Sequence, residues 1–423
     1  MTRLILFTND YPHDRGDAVF VEKEIDALAA AFDTIVVFSA SSSDTGPFRQ
    51  LPANATFGGN LYGRAPGEFR WLLRPRALVA VARALWMELR NGRGRHLGDF
   101  ARAAVLGLGR AYRPAVRAAI AADAETVAYG FWGMGGGLVL PWTEDVRARV
   151  VRVHGYDLYE ERSPSGYLPL RPFLFARVDR ILAISTDGAR YLAERYRRLG
   201  AASKTIVSRL GVYGPAESER PAPQPERTIV SCSAISDVKR VELILAAVQE
   251  LAALDSSVPL RWVHFGDGPR MAELTAVVEG VSGLSVELRG SVSNDEVLDF
   301  YRSARVDLFV NASISEGVPV SIMEAIAHSI PVVATAVGGT PEIIGPELGT
   351  GELVPADATP AEFAERMRDV IEGVEQFDPR RLWSTDYDAH RTGESAAQLI
   401  RSLLDDGPPT GLPSTQRSGD RGR

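Results

Sequence analysis

Two glutamates, Glu316 and Glu324, stand eight residues apart in the segment NASISEGVPVSIMEAIAHSIPVVATAVGGTPEII, residues 311–344. A carboxylate accepts hydrogen bonds from two vicinal hydroxyls at once, which is what a ribose or a hexose presents, and it repels phosphate. Pro319 sits where a helix would start, because a first-turn proline sacrifices no helical donor. The amides and dipole of that turn offer a seat for an anionic diphosphate. Gly317 and Val318 lead into it, and Gly317 lets the ligand approach without a side-chain clash. Glu316 projects from the loop beside the anion and Glu324 from the second helical turn, so the pair can grip different parts of one ligand. Gly338 and Gly339 close the next strand. Thr340-Pro341-Glu342 follows as a second cap-and-proline helix start at the same sheet edge. Taken singly, either glutamate is equally a solvated surface acid and the glycines are turn residues. Their joint spacing points to a hydroxyl-rich diphosphate.

Those residues need a parallel sheet with helices on its faces. Apolar β-branched runs alternate with alanine-rich amphipathic segments from end to end, the βαβα order of an α/β protein. The second half is expected to form one doubly wound sheet from strands TIVSCSAI (228–235), RWVHFG (261–266), SVELRG, VDLFVNAS (306–313) and PVVATAV, with helices from Arg240, Pro269, Asp295 and Val320. The first half offers strands RLILFT, TIVVFSA, TVAYGFW, ARVVRVHG and DRILAIS around the helix FVEKEIDALAAAF. At 423 residues the chain suits two domains. The expected division is a Rossmann-like domain over 1–210, a second over 211–385, a helix over 386–404, and a disordered tail over 405–423. The Pro-, Gly- and Glu-rich stretch between Leu210 and Thr228 marks the boundary.

The segment SEGVPVSIMEA followed by PVVATAVGG resembles the E-x7-E signature of GT-B retaining glycosyltransferases of the family 4 type, the group 1 glycosyl transferases. The resemblance extends outward. SDVKRVELILAAVQEL is similar to the family's lysine-bearing element, HFGDGPRMAEL to the strand, loop and helix after it, RVHGYDLYEER to its histidine element at the cleft, and TNDYPHDRGDAVF to its N-terminal loop. It implies two Rossmann-like domains facing across a cleft, 1–210 binding the acceptor and 211–385 the nucleotide sugar, with the 386–404 helix packing back on the first, and sugar transfer from a nucleotide-diphosphate sugar to an alcohol acceptor with retention. It further implies catalytic roles for Glu316, His154 and Lys239. The implied donor site comprises Gly317, Val318, Pro319, Glu324, Arg240, Gly338, Gly339, Gly16 and Gly290, with Tyr156 and Asp157 on the acceptor side. The chain departs from the pattern at Ser233 and Ala234, where many members carry Gly-Arg; Arg240 is the candidate substitute for the missing cation. It departs again at Ser329, for a common glycine, and at Asp17, for the second glycine of the first loop.

Composition narrows the alternatives. Apolar residues make up 45% and charged residues 24%, near a soluble globular average. The N-terminal apolar run is too short for a signal or a membrane span, and the single cysteine, Cys232, fits a reducing compartment, so a cytoplasmic location is expected. The histidines are scattered, without an i, i+4 ligand pair, so neither a metal nor another cofactor is expected. No nucleic-acid partner is expected, and the formal net charge is −7. A nicotinamide enzyme would need G-x-G-x-x-G, and GFWGMGGGL lacks its final glycine at the right spacing. An epimerase or phosphorylase, or a silent sugar-nucleotide-binding protein, stays open. Between Arg64 and Arg117 twelve arginines meet only Glu68, Glu88 and Asp99. Within this run, residues 70–92 place Leu78, Leu85, Trp86 and Leu89 among the basic residues at helical spacing. The stretch reads either as a helix packed on the sheet with solvated arginines or, through residues 70–117, as a peripheral contact with an anionic membrane that would suit a lipid-linked acceptor.

Overall fold

The computed structural model describes residues 1–42, 46–63, 74–120, 125–216, 221–254 and 259–405. Two parallel sheets divide these residues. The first runs β3-β2-β1-β4-β5-β6-β7 and the second β10-β9-β8-β11-β12-β13. Strands β1 (Thr2–Thr8), β2 (Thr34–Ser39), β3 (Ala55–Asn60), β4 (Glu125–Gly130), β5 (Ala148–Val153), β6 (Arg180–Ala183) and β7 (Thr205–Val207) make the N-terminal lobe. Strands β8 (Arg227–Cys232), β9 (Leu260–Phe265), β10 (Ser285–Leu288), β11 (Leu308–Asn311), β12 (Val332–Thr335) and β13 (Gly351–Val354) make the C-terminal lobe. The fold is the expected pair of Rossmann-like, doubly wound sheets. Central strands such as β4, β11 and β12 are buried on both faces, which is why they read as unbroken apolar runs rather than alternating ones.

Strands β3, β7 and β13 were not anticipated. All three lie at sheet edges, where one flank and short length suffice. β3 carries Gly58-Gly59 and shifts register against β2, and β7 has only three residues.

The order of strands fixes where a ligand can sit. In each sheet the chain reverses its winding direction at the central strand, between β1 and β4 and between β8 and β11. At such a switch point the loops leaving adjacent strands diverge and open a crevice beyond their carboxyl ends. The loops concerned are the first loop, after β1, and the glycine-rich 130–137 turn, after β4, in one lobe. In the other they are the Lys239 loop, after β8, and the Glu316 loop, after β11.

The chain then crosses back. Val212 N donates to Tyr387 O at 2.9 Å and Ala389 N to Val212 O at 3.1 Å. The helix Ala389–Ser402 packs on the helix Ala18–Ala31, so closely that a Cβ on Gly393 would lie 3.1 Å from Lys23 O. Of the tail expected to be disordered, all but Asp405 lies outside the described residues.

Under the site the N-terminal lobe is held by a buried polar knot. Arg152 is fully buried; its Nη2 donates to Glu24 Oε2 at 2.6 Å, its Nε to Tyr129 OH at 2.8 Å and its Nη1 to Ser208 O at 2.7 Å. Removing one partner leaves the other as an uncompensated buried charge, at a cost of about 3–5 kcal/mol. Glu24→Ala is expected to lower the stability of the N-terminal lobe by that amount in urea denaturation. A loss below about 1 kcal/mol, the worth of an exposed pair, would contradict the geometry.

Candidate functional site

The C-terminal half of the site is built on the ends of β8 and β11. Asn311, the last residue of β11, turns Nδ2 to Glu316 Oε1 at 3.2 Å, and Lys239 Nζ donates to the same oxygen at 2.6 Å. The neighbouring strand's loop is tied to this one by Ile314 N donating to Val238 O at 2.9 Å. Glu316, Lys239 and Asn311 therefore form one cluster, with Glu316 almost wholly buried.

Glu324 occupies the helix Val320–Ala327. Its Oε1 accepts from Asn294 Nδ2 at 2.9 Å. Burial raises its carboxyl, while the charge of Lys23, from the other lobe, and the Asn294 hydrogen bond oppose the rise. Cys232, at the end of β8, feels both clusters: its thiol is pushed up to about 12 by burial and by Glu324, with Lys239 pulling the other way. The two glutamates, the lysine and the end of β8 thus share one edge of the sheet.

Gly338 and Gly339 seal this edge. Gly338 has φ +52, and a Cβ there would lie 2.1 Å from Glu316 O; a Cβ on Gly339 would lie 2.3 Å from Gly317 O. Gly339 N instead donates to Gly317 O at 2.8 Å. Gly290, φ +67, accepts from Gly266 N at 2.8 Å and holds the ends of β9 and β10 together along the same edge.

Three local expectations change. Pro319 is the extended residue immediately before the helix, not its first helical residue, so the helix opens on Val320. Thr340–Glu342 is a single 3-10 turn rather than a second α-helix start, and its glutamate reaches to the other lobe. Arg240, at φ +47, points its Nε to Ala312 O at 2.7 Å, which anchors the loop, and its buried Nη2 has no hydrogen-bond partner.

The N-terminal half faces this edge. His154 follows β5 and is buried, with its ring 3.8 Å from that of Trp132 and neither nitrogen hydrogen-bonded. Burial, then the charge of Arg152, hold its imidazole well below the usual histidine range, so it is neutral. Asp157 is wholly buried: Oδ1 accepts from His154 N and Oδ2 from Gly133 N, both at 2.6 Å. With both oxygens used by backbone amides, it braces His154 against the glycine turn instead of reaching into solvent. Tyr156, by contrast, is 51% exposed, with its ring 5.0 Å from that of Trp132 and its OH accepting from Asn9 Nδ2 at 2.9 Å.

In the first loop Gly16 has φ +56, and a Cβ there would lie 2.2 Å from the Asp10 carboxylate. Asp17, the residue in place of a family glycine, accepts from the amides of Asn9, Asp10 and Tyr11 and from Trp132 Nε1, at 2.7–2.8 Å. It organises the loop.

Between the lobes Arg162 Nη2 donates to Glu316 O at 2.9 Å, and a Cβ on Gly317 would lie 3.5 Å from Gly155 N. Asn294, Asn311, Arg162, Asn9 and Trp132 were not anticipated in the site. Asn311 had a signal, a polar residue ending an apolar strand five positions before Glu316. Arg162 had none, because its reach depends on how the lobes sit together. Among the described residues no three His, Cys, Asp or Glu side chains group as a metal site.

Comparison with known proteins agrees with this fold. Residues 226–373 match the family model described as Glycosyl transferases group 1. The Escherichia coli K12 protein WcaL, provisionally named a colanic acid biosynthesis glycosyltransferase, is 30% identical over 233 residues, 52% of this chain and 55% of that protein. The match thus spans little more than half the relative's length. Among solved structures, the lipopolysaccharide outer core galactosyltransferase WaaB in its apo form has a TM-score of 0.62 at 12% identity over 94% of this chain and 99% of that one. Anabaena HepE, solved in complex with UDP, has a TM-score of 0.61 at 15% identity over 95% and 100%. The architecture is the GT-B arrangement of two facing Rossmann-like lobes.

The Asp157 carboxyl is raised by burial from 3.8 to about 6. Between those values the folded chain keeps a proton that the unfolded chain has released, so the stability Asp157 contributes is full below pH 3.8 and is lost as pH rises through about 6. In urea denaturation at stepped pH, the stability of wild type relative to Asp157→Asn is expected to fall across that window and level off above it. A difference that grows with pH would contradict the buried carboxyl.

Proposed function

We propose that this chain, whose residues 226–373 carry the group 1 glycosyl transferase pattern, moves a sugar from a nucleoside-diphosphate sugar to an alcohol acceptor. The reading rests on one observation: Glu316, Lys239 and Glu324 share the carboxyl edge of the second sheet, opposite His154 and Tyr156 of the first. The buried Glu324, oriented by Asn294, takes the ribose hydroxyls. Gly317, Val318 and the first turn of the 320–327 helix seat the diphosphate, Gly338 and Gly339 keep that seat clear of side chains, and Lys239 turns from Glu316 to the phosphate charge. Glu316, released from its lysine, accepts from the hydroxyls of the transferred sugar. Charge developing on the departing phosphate is met by fixed dipoles and a cation, which is the electrostatic part of the catalysis, and two-ended binding supplies the orientation. Retention of configuration, a hexose donor and turnover without a metal are parts of the same proposal, carried by the family resemblance and by a lysine already placed for the phosphate.

On the acceptor side, neutral His154 and the exposed face of Tyr156 offer a hydrogen-bonding ring and an aromatic surface for a sugar or lipid-linked alcohol. The lipid is favoured by the helix Pro75–Arg90, which turns Ala77, Ala84, Met87 and Glu88 inward and leaves Leu78, Val79, Trp86 and Leu89 45–67% exposed. Arg90 stacks on Trp86 at 5.0 Å. An apolar ridge among arginines is suited to the headgroup region of an anionic bilayer; residues 70–73 of the stretch lie outside the described residues. Among the described residues no helix is long and apolar enough to cross a membrane.

A panel of UDP-, GDP-, ADP- and TDP-sugars is expected to contain at least one that raises the melting temperature, with the rise lost in Glu324→Ala. No shift from any of them in wild type, or an unchanged shift in the variant, would contradict the donor site. A shift with no transfer to any acceptor extract would point to the silent binding protein instead.

Flotation with vesicles of anionic lipid at low salt is expected to carry the chain upward and to fail for Trp86→Ser/Leu89→Ser. Equal flotation of variant and wild type, or none of wild type, would contradict the membrane face.

A further inference from the structure

Glu342 ends the 3-10 turn after Gly338-Gly339, yet its carboxylate belongs to the other lobe. Oε2 accepts from Thr186 N and Oε1 from Asp187 N, both at 2.8 Å, at the start of the helix Thr186–Arg195. The third amide of that turn, Gly188 N, is taken within its own lobe by Ser185 Oγ at 3.0 Å. One lobe thus supplies the missing part of the other lobe's helix cap.

A second strap runs in the opposite direction. Arg162, of the N-terminal lobe, stacks 3.9 Å from the ring centroid of Tyr159 and donates to Glu316 O; Tyr159 OH donates to Asp187 Oδ2 at 2.5 Å. The two straps meet at Asp187, whose amide serves Glu342 and whose carboxylate serves Tyr159. On the C-terminal side they also meet, because Gly339 N bonds Gly317 O and so ties the turn carrying Glu342 to the loop carrying Glu316. Arg209 Nη2, 3.5 Å from Glu342 Oε2, and Tyr387 OH, donating to Glu342 O at 3.2 Å, anchor the same glutamate where the chain crosses between lobes.

We propose that Glu342 is a positioning residue: with Arg162 it forms an interlobe clasp that sets how closely the Glu316 loop approaches His154 and Tyr156. The clasp is made of charge-assisted bonds to groups that water satisfies once the lobes part, so it biases an equilibrium between closed and open arrangements rather than holding one rigidly. Because its C-terminal parts are the walls of the diphosphate seat, a ligand filling that seat and closure of the lobes favour each other by the same factor. Sugar transfer itself is not required for the clasp to exist.

Hydrogen–deuterium exchange of the full chain, read by peptide mass, tests this without turnover. In Glu342→Ala, exchange is expected to rise about tenfold or more at Thr186 and Asp187, and also in the remote segments 155–162 and 314–318, as the cleft opens; the radius of gyration from small-angle scattering rises with it. Glu342→Gln, which keeps one good acceptor oxygen, should fall between. Arg162→Ala breaks the other strap without touching the helix cap, serves if Glu342→Ala does not fold, and should raise exchange at Thr186 and Asp187 as well. A rise confined to Thr186 and Asp187 in Glu342→Ala with unchanged scattering would show a mere helix cap, and no change at those amides in Arg162→Ala would show that the straps are uncoupled; either result overturns the clasp.

Discussion

Gly155 and Gly317 bring two backbones from separate lobes within a methyl group of each other. A Cβ at either glycine would already fill the remaining space, 3.5 Å from the other backbone, so a side chain larger than a methyl group would press on the opposite lobe. The same approach lets Arg162 reach the Glu316 carbonyl and Glu342 the amides of Thr186 and Asp187. The close approach also places a neutral, buried histidine one residue from the contact on one side and a glutamate one residue from it on the other. The chemistry proposed for the site needs that juxtaposition, because neither lobe alone holds both the anion seat and an acceptor surface.

Each lobe prepares its half by burying charge in organised surroundings. In the C-terminal lobe Lys239 and Asn311 converge on one oxygen of Glu316, and Asn294 aligns Glu324. In the N-terminal lobe Asp17 gathers three amides of the first loop and the Trp132 indole, and Asp157 braces His154 against Gly133. Groups held this way need little reorganisation when a ligand arrives, which is what electrostatic preorganisation requires. In the proposed reaction the Lys239–Glu316 pair keeps the cation beside the diphosphate seat, and the sugar hydroxyls take its place on the acid when it turns to the phosphate.

What the sequence made legible was local. The strand–loop–helix from Asn311 to Ala327, its glutamates and the glycines at 338 and 339 follow from short-range rules, and the double-wound fold follows from the alternation of runs. Edge strands β3, β7 and β13 were missed because they are short or glycine-bearing and gain their pairing only from the sheet. The resemblance implies an acceptor-side place for Asp157, whereas its position three residues after His154 is that of a capping-box acid, a local signal for the buried bracing role. Glu342 looked like part of a second helix start facing the ligand; its real partners lie more than 150 residues away in the chain, and no local rule reaches that far. Arg162 and Asn294 escaped for the same reason. In the basic stretch, burial of Ala77 and Ala84 rather than Leu78 and Trp86 shows which face of the helix is the inner one, a choice the spacing of large apolar residues alone would have reversed.

The most direct measurement is a crystal structure of the full chain with whichever nucleotide sugar gives the largest thermal shift. The expected electron density has the ribose hydroxyls on the Glu324 carboxylate, the diphosphate over Gly317 and Val318 with Lys239 turned toward it, and the sugar between Glu316 and His154. Density for the nucleotide anywhere else, or in the cleft with its phosphates remote from Gly317 and its ribose remote from Glu324, would contradict the assignment of this edge as the donor site.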